Sequence, residues 1–161
     1  MRRRGWLIVA GILILLFISS SMTYRQQSLV PWLTRLVGQH GPKWLAGVDF
    51  WWADQHISTQ VKGPAVVIEF FLRKLAHFGT YLVLGAGLTV ALRKAVTPTW
   101  LRAGLLFFAC TGVAAFDEFH QGFTPGRSPL FQDVMLDAVG AALGILVTVA
   151  IQALRARRRR G

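Results

Sequence analysis

The chain has a single cysteine, Cys110, and it lies inside an apolar run. An internal disulfide and a paired-cysteine metal motif are thereby excluded, and Cys110 reads as a small buried hydrophobe. Acidic residues are scarce as well: seven Asp and Glu stand against eighteen Lys and Arg, a formal net charge of +11. The patterns His-Glu-x-x-His and Gly-x-Ser-x-Gly are missing, as are paired histidines of the phosphatase type, so the local signatures of the common hydrolases are absent. With 161 residues the chain holds one domain rather than two.

Apolar sequence is what it has in quantity. Apolar residues make up 53% of the chain, mean hydropathy is +0.46, and they fall in blocks rather than at amphipathic spacing. Four blocks predict helices over residues 6–22, 66–92, 101–121 and 130–154, each near the roughly 20 residues that cross a bilayer. The expected fold is all-α, an integral membrane bundle of four transmembrane helices forming one domain over residues 1–161. A second reading of the first block is a signal peptide, with Ser19-Ser20-Ser21 as the small residues of a cleavage site.

Charge sets the expected orientation, because basic loops stay in the cytoplasm. With the amino terminus inside, the inner side holds Arg2, Arg3, Arg4, Arg93, Lys94, Arg102, Arg155 and Arg157 to Arg160, with no carboxylate. The outer side holds seven basic residues and all seven acidic ones. Both termini are therefore expected in the cytoplasm. The tail over residues 155–161 reads as a topology anchor that meets anionic lipids, not as a nucleic-acid patch.

The first outer loop, residues 23–65, contains Trp32, Trp44, Trp51 and Trp52, while Trp6 and Trp100 sit at helix ends. Tryptophan favours the headgroup zone, and Trp32, Leu33, Leu36 and Val37 repeat at helical spacing. One or two interfacial helices are expected, interrupted at Pro31, Gly38, Gly41 and Pro42.

A charge near the bilayer centre costs roughly 2.5–3.5 kcal/mol on insertion scales, so polar residues inside the blocks should lie near an interface or find partners. Lys74, His77, Tyr81 and Gly85 share one face of the second helix. Cys110, Asp117 and Gln121 share a face of the third, with His120 at its edge, and Asp133, Asp137, Gly140 and Gly144 share a face of the fourth. Gly140 and Gly144 form a small-xxx-small pair that permits close helix approach. Ser128-Pro129 reads as an N-cap followed by proline at the first helical position. Arg73, Lys74 and Arg127, the carboxylates Asp117, Glu118, Asp133 and Asp137, and the rings of His77 and His120 thus reach one level. The cluster is either an interhelical staple, with Lys74 and Arg127 on the aspartates and His77 donating to one of them, or a shallow pocket opening outward.

Three segments carry a resemblance: Lys74-Leu75-Ala76-His77-Phe78-Gly79-Thr80-Tyr81, then Asp117-Glu118-Phe119-His120-Gln121-Gly122-Phe123-Thr124-Pro125-Gly126-Arg127, then Asp133 to Gly140. In this order and spacing they resemble the VanZ-like family, whose pattern ends on an aspartate and, four residues on, an asparagine or aspartate, here Asp137. The resemblance implies a bacterial cytoplasmic-membrane protein. The family's name-giving member is an accessory factor in resistance to teicoplanin, a lipid-tailed glycopeptide that binds cell-wall precursors. The expected function is accordingly a non-enzymatic envelope factor, without cofactor or metal, that meets membrane lipids and binds a lipid-linked wall precursor or a lipoglycopeptide. Its site residues would be Lys74, His77, Tyr81, Asp117, Glu118, Gln121, Arg127, Asp133 and Asp137. One alternative is a hydrolase acting on a lipid head group, with His77 or His120 against Asp117, or with Glu118 and Asp133 around a divalent metal. Another is a small transporter, since intramembrane carboxylates and histidine relay protons.

Overall fold

Two of the apolar blocks meet backbone to backbone, and the other elements arrange around that seam. The computed structural model describes residues 2–159, so Arg160 of the basic tail lies outside the described residues. In chain order the elements are α1 (Arg2–Ser21), α2 (Tyr24–Gln27), α3 (Val30–Val37), a 3-10 turn (Lys43–Leu45), β1 (Asp49–Trp52), β2 (Gln55–Ser58), α4 (Thr59–Lys62), α5 (Pro64–Ala91), α6 (Thr99–Gln121) and α7 (Phe131–Arg157). The four long helices match the predicted blocks to within three residues at every boundary but the start of the first, which begins four residues early.

At the seam, Gly140 and Gly144 of α7 lie against the backbone of α5. A Cβ on Gly140 would sit 2.5 Å from the Phe78 carbonyl oxygen, and one on Gly144 would collide with the Leu82 carbonyl. Helices this close gain dispersion contacts along their whole length, which is how small residues favour helix pairing where lipid is the solvent. α1 packs against the α5 side of the bundle, its Gly5 pressed on the Ala91 backbone. The central core joins Val9 and Leu16 of α1 to Tyr81 and Leu84 of α5, Cys110 and Ala114 of α6, and Ala141 of α7.

α6 and α7 are each long and apolar enough to cross a membrane, and Gly5–Ser21 is a shorter apolar stretch. α5 is 28 residues long and carries Glu69, Arg73 and Lys74 in its first half. Large apolar side chains such as Leu7, Phe17, Phe108, Phe116 and Leu146 point outward, a surface suited to lipid rather than water. The helix termini sort the charges. The start of α1, the connection from α5 to α6 and the end of α7 form a basic end, and every carboxylate lies toward the opposite, acidic end.

The loop over residues 23–65 departs from the all-helical expectation. The predicted amphipathic turn appears as α3, with Pro31 in its first turn and Gly38 at its C-cap. Beyond it, β1 and β2 pair as an antiparallel hairpin, Phe50 opposite Ile57 and Trp52 opposite Gln55. Asp49-Phe50-Trp51-Trp52 shows no polar alternation, and the turn at Ala53-Asp54 is not an Asn-Gly type signal, so the period-2 pattern that marks a strand is not visible. One face of the hairpin packs Phe50, Trp52 and Ile57 onto Val67 and Phe70 of α5. The other carries Trp51 stacked on His56 at 4.9 Å and a 2.7 Å contact from His56 Nε2 to Asp49, which holds the Asp49 carboxyl below the usual carboxylate range.

The start of α7 also differs from expectation. Ser128 does not cap it: Leu130 holds the N-cap position in extended conformation with no side-chain cap, and the Leu130 N–H donates to Glu118 Oε1 at 2.8 Å. The closeness of the seam makes Gly144→Ala destabilising by about 1–3 kcal/mol, the usual penalty of overpacking. Gly79→Ala on α5, where a Cβ meets nothing within 4 Å, should be neutral or stabilising. Equilibrium unfolding of both variants in mixed micelles checks the contrast.

Candidate functional site

At the acidic end a polar cavity of about 190 Å³ opens between α2, the hairpin, the first half of α5, the end of α6 and the start of α7. Five of the nine predicted site residues line it: Lys74, Glu118, Gln121, Arg127 and Asp133. The other four, His77, Tyr81, Asp117 and Asp137, do not line it; the last three are buried, and together the four form an inner tier among α5, α6 and α7.

The outer tier is ordered around three cations, Lys74, Arg73 and Arg127. Lys74 Nζ donates to both oxygens of Asp133 at 2.6 and 2.7 Å, and the ammonium lies about 5 Å from the rings of Trp52 and Phe70, a cation–π geometry. Trp52 Nε1 donates to the same Asp133 oxygen at 3.0 Å. Arg73 Nη2 donates to Glu69 Oε1 at 2.9 Å one turn back on α5, with its guanidinium 4.8 Å from the Tyr24 ring centroid.

Arg127 does not pair with the aspartates, contrary to the staple expectation. Its Nη1 donates to Gln121 Oε1 at 2.8 Å, and its Nη2 donates to Gln27 Oε1. Both acceptors are neutral amide oxygens, and the buried Nε has no partner. The physical reason is reach: Gln121, one turn beyond Asp117 on α6, stands between that carboxylate and the loop, donating to Asp117 Oδ2 at 2.9 Å and accepting from Arg127. Burial lowers the Arg127 pKa from its ordinary value, and the nearby Arg73 adds to this, while Glu118 and Asp117 oppose it.

In the inner tier, His77 Nδ1 stands 3.3 Å from Asp137 Oδ2. Asp137 Oδ1 and the Tyr81 hydroxyl are buried without a hydrogen-bond partner. His120 turns away from the cluster: its Nδ1 meets Ser20 Oγ at 2.9 Å, and its ring stacks on Phe17. Ser20, one of the residues read as a cleavage site, is buried in this contact. Neither histidine pairs with Asp117, so the acid–base pair of the hydrolase alternative is not formed. Among the described residues no three His, Cys, Asp or Glu side chains converge as metal ligands, so its metal-centred form is not assembled either.

Several residues outside the predicted set hold the site together. Glu69 Oε2 accepts from Ser28 Oγ and from the Leu29 and Val30 N–H groups at 2.6–3.0 Å, capping the start of α3 from another helix. Glu118 does the same for α7 through Leu130. Gln27 also donates to Ser19, tying the end of α1 to the site. A signal existed for Glu69, a carboxylate in an apolar helix that lacks a partner on α6 or α7. None existed for Gln27 or Trp52, whose roles depend on how the loop folds back.

The Lys74–Asp133 pair is partly buried, with side chains about 15% exposed. A double-mutant cycle on Lys74→Met and Asp133→Asn should give a coupling of about 1–3 kcal/mol, with either single change worse than the pair, because each leaves an uncompensated group. Additive effects in thermal unfolding would contradict the assignment.

No curated protein and no solved structure matches the chain. The family model for VanZ/LLP1 matches residues 6–152, which takes in α5 and α6 whole, most of α1 and α7, the hairpin and both tiers of the polar cluster. The chain is a member of the VanZ-like family.

Proposed function

We propose that the chain spans the cytoplasmic membrane four times, with both termini in the cytoplasm, and serves as an envelope factor whose outward cavity binds the anionic head of an amphiphile. Four spans are supported by the lengths of α6 and α7 and by the pairing of α1 along α5. In α5 the polar groups that would oppose insertion have partners: Arg73 with Glu69, Lys74 with Asp133 and His77 with Asp137. The orientation is supported by the wholly basic composition of the opposite end.

The observation that carries the ligand reading is Arg127. It lines the cavity, two of its donors are fixed by amide oxygens, and its charge meets no carboxylate within ion-pair distance among the described residues. Glutamine fixes the geometry of a guanidinium without neutralising it. The cavity wall adds Lys62, Arg73 and Lys74 against Glu69, Glu118 and Asp133, so one positive charge remains for an incoming phosphate or carboxylate. Arginine suits such groups because its planar fork matches their oxygens. A lipid-linked wall precursor or a lipoglycopeptide of the teicoplanin type carries both the anionic group and the apolar tail that the lipid-facing surface would accept.

Arg127→Gln should weaken binding of an undecaprenyl-linked wall precursor by roughly 10–100-fold, the worth of a charged hydrogen bond of about 1.5–3 kcal/mol, with membrane insertion intact. It should remove any protection against teicoplanin in a host expressing the chain. Full binding and full protection in both Arg127→Gln and Lys74→Gln would exclude the reading. For topology, single cysteines at Thr97 and Gly126 in a Cys110→Ala background should label from the inside and the outside respectively.

A further inference from the structure

A second cavity, about 270 Å³, lies at the basic end, between the start of α6, the last turns of α7 and the connection after α5. Its polar lining is Arg93, Thr97, Thr99, Arg102 and Gln152, and no carboxylate is among its lining residues. Taking a water's share of volume as about 30 Å³, it has room for a tetrahedral anion with solvent around it.

Arg102 is the centre of this site. The residue is only 5% exposed, which is unusual for arginine unless paired, yet no carboxylate meets it among the described residues. Its Nη1 donates to the Arg93 carbonyl at 2.5 Å, with the Val96 carbonyl at 3.4 Å. Its Nε is buried with no partner. Arg102 and Arg93 place positive charge on the cavity wall beside the Thr97 and Thr99 hydroxyls, with no carboxylate there to neutralise it, an incomplete arrangement that an anion completes. The first turn of α6 adds backbone N–H groups and the positive end of its dipole. In a membrane, basic pockets between helices on the cytoplasmic side are the places where phosphate-bearing lipid heads lodge.

We propose that this cavity binds the phosphodiester head of an anionic membrane lipid, with Arg102 and Arg93 supplying charge and Thr99 and Gln152 supplying neutral hydrogen bonds. The exposed residues along its rim, Ala153 among them, leave a path for the acyl chains toward the lipid-facing surface. The site is separate from the cavity at the acidic end and does not depend on what that cavity binds.

The test uses the full chain, purified in neutral detergent, with bound lipid read by native mass spectrometry during titration with phosphatidylglycerol or phosphatidylcholine. Wild type should hold one phosphatidylglycerol at least about 10-fold more tightly than phosphatidylcholine. Arg102→Gln should erase that preference. Because Arg102 also ties down the connection after α5, Arg93→Gln and Ala153→Trp provide independent variants: the first should weaken phosphatidylglycerol several-fold, and the second should block it by filling the cavity. Neutralising Arg157, Arg158 and Arg159 together should leave the preference in place. Equal retention of the two lipids, or loss on neutralising the tail with no loss in Arg93→Gln and Ala153→Trp, would overturn the site. Competition by inorganic phosphate at the same concentration as the lipid would overturn the lipid assignment in favour of a free anion.

Discussion

The contact on which the rest depends is the approach of α7 to α5 over Gly140 and Gly144. One face of α7 carries, in sequence, Asp133, Asp137, Gly140 and Gly144. The facing stripe of α5 carries Lys74, His77, Phe78 and Leu82. The glycines set the distance, and the charges use it. With bulkier residues at the seam the helices would stand further apart, and a 2.6 Å contact between Lys74 and Asp133 would need a tilt or a bridging water. Packing and electrostatics are therefore one arrangement here: the lower half of the stripe holds the helices together by dispersion, and the upper half does so by paired charge.

A second principle organises the acidic end. Glu69 and Glu118 each leave their own helix to satisfy the N-terminal N–H groups of another segment, at Leu29 and Val30 and at Leu130. A carboxylate near a helix start meets both unpaired donors and a favourable dipole. The positions of α3 and α7 relative to the cavity are thus fixed by side chains of α5 and α6, and the cavity wall is held by side chains from several elements at once.

The long helices are legible in the sequence because apolar blocks of that length have few other physical solutions, and helical spacing then places Asp133, Asp137, Gly140 and Gly144 on one face without further information. The gathering of these polar residues at one end of the long helices is legible for the same reason. What periodicity cannot convey is the choice of partner. Arg127 has four carboxylates within its predicted level and takes two glutamines instead, because Gln121 stands in the way and Gln27 arrives from a loop whose path no repeat encodes. The hairpin is hidden for a related reason: consecutive aromatics erase alternation, so Trp52 reads as an interfacial anchor when its indole in fact bonds Asp133.

The division of partners between α5 and α7 has a consequence for biogenesis. In the four-span arrangement α5 leaves the ribosome with Lys74 and His77 unpaired, since their carboxylates lie about 60 residues downstream. An unpaired Lys74 ammonium drawn toward the bilayer centre would oppose insertion by a few kcal/mol. If the chain spans four times as proposed, α5 on its own would be a reluctant span, held toward the interface until α7 is made. α7 is highly apolar beyond its two aspartates and is able to enter alone. The last helix synthesised would then draw an earlier one to its final depth, so that polar contact and membrane topology are completed in a single step.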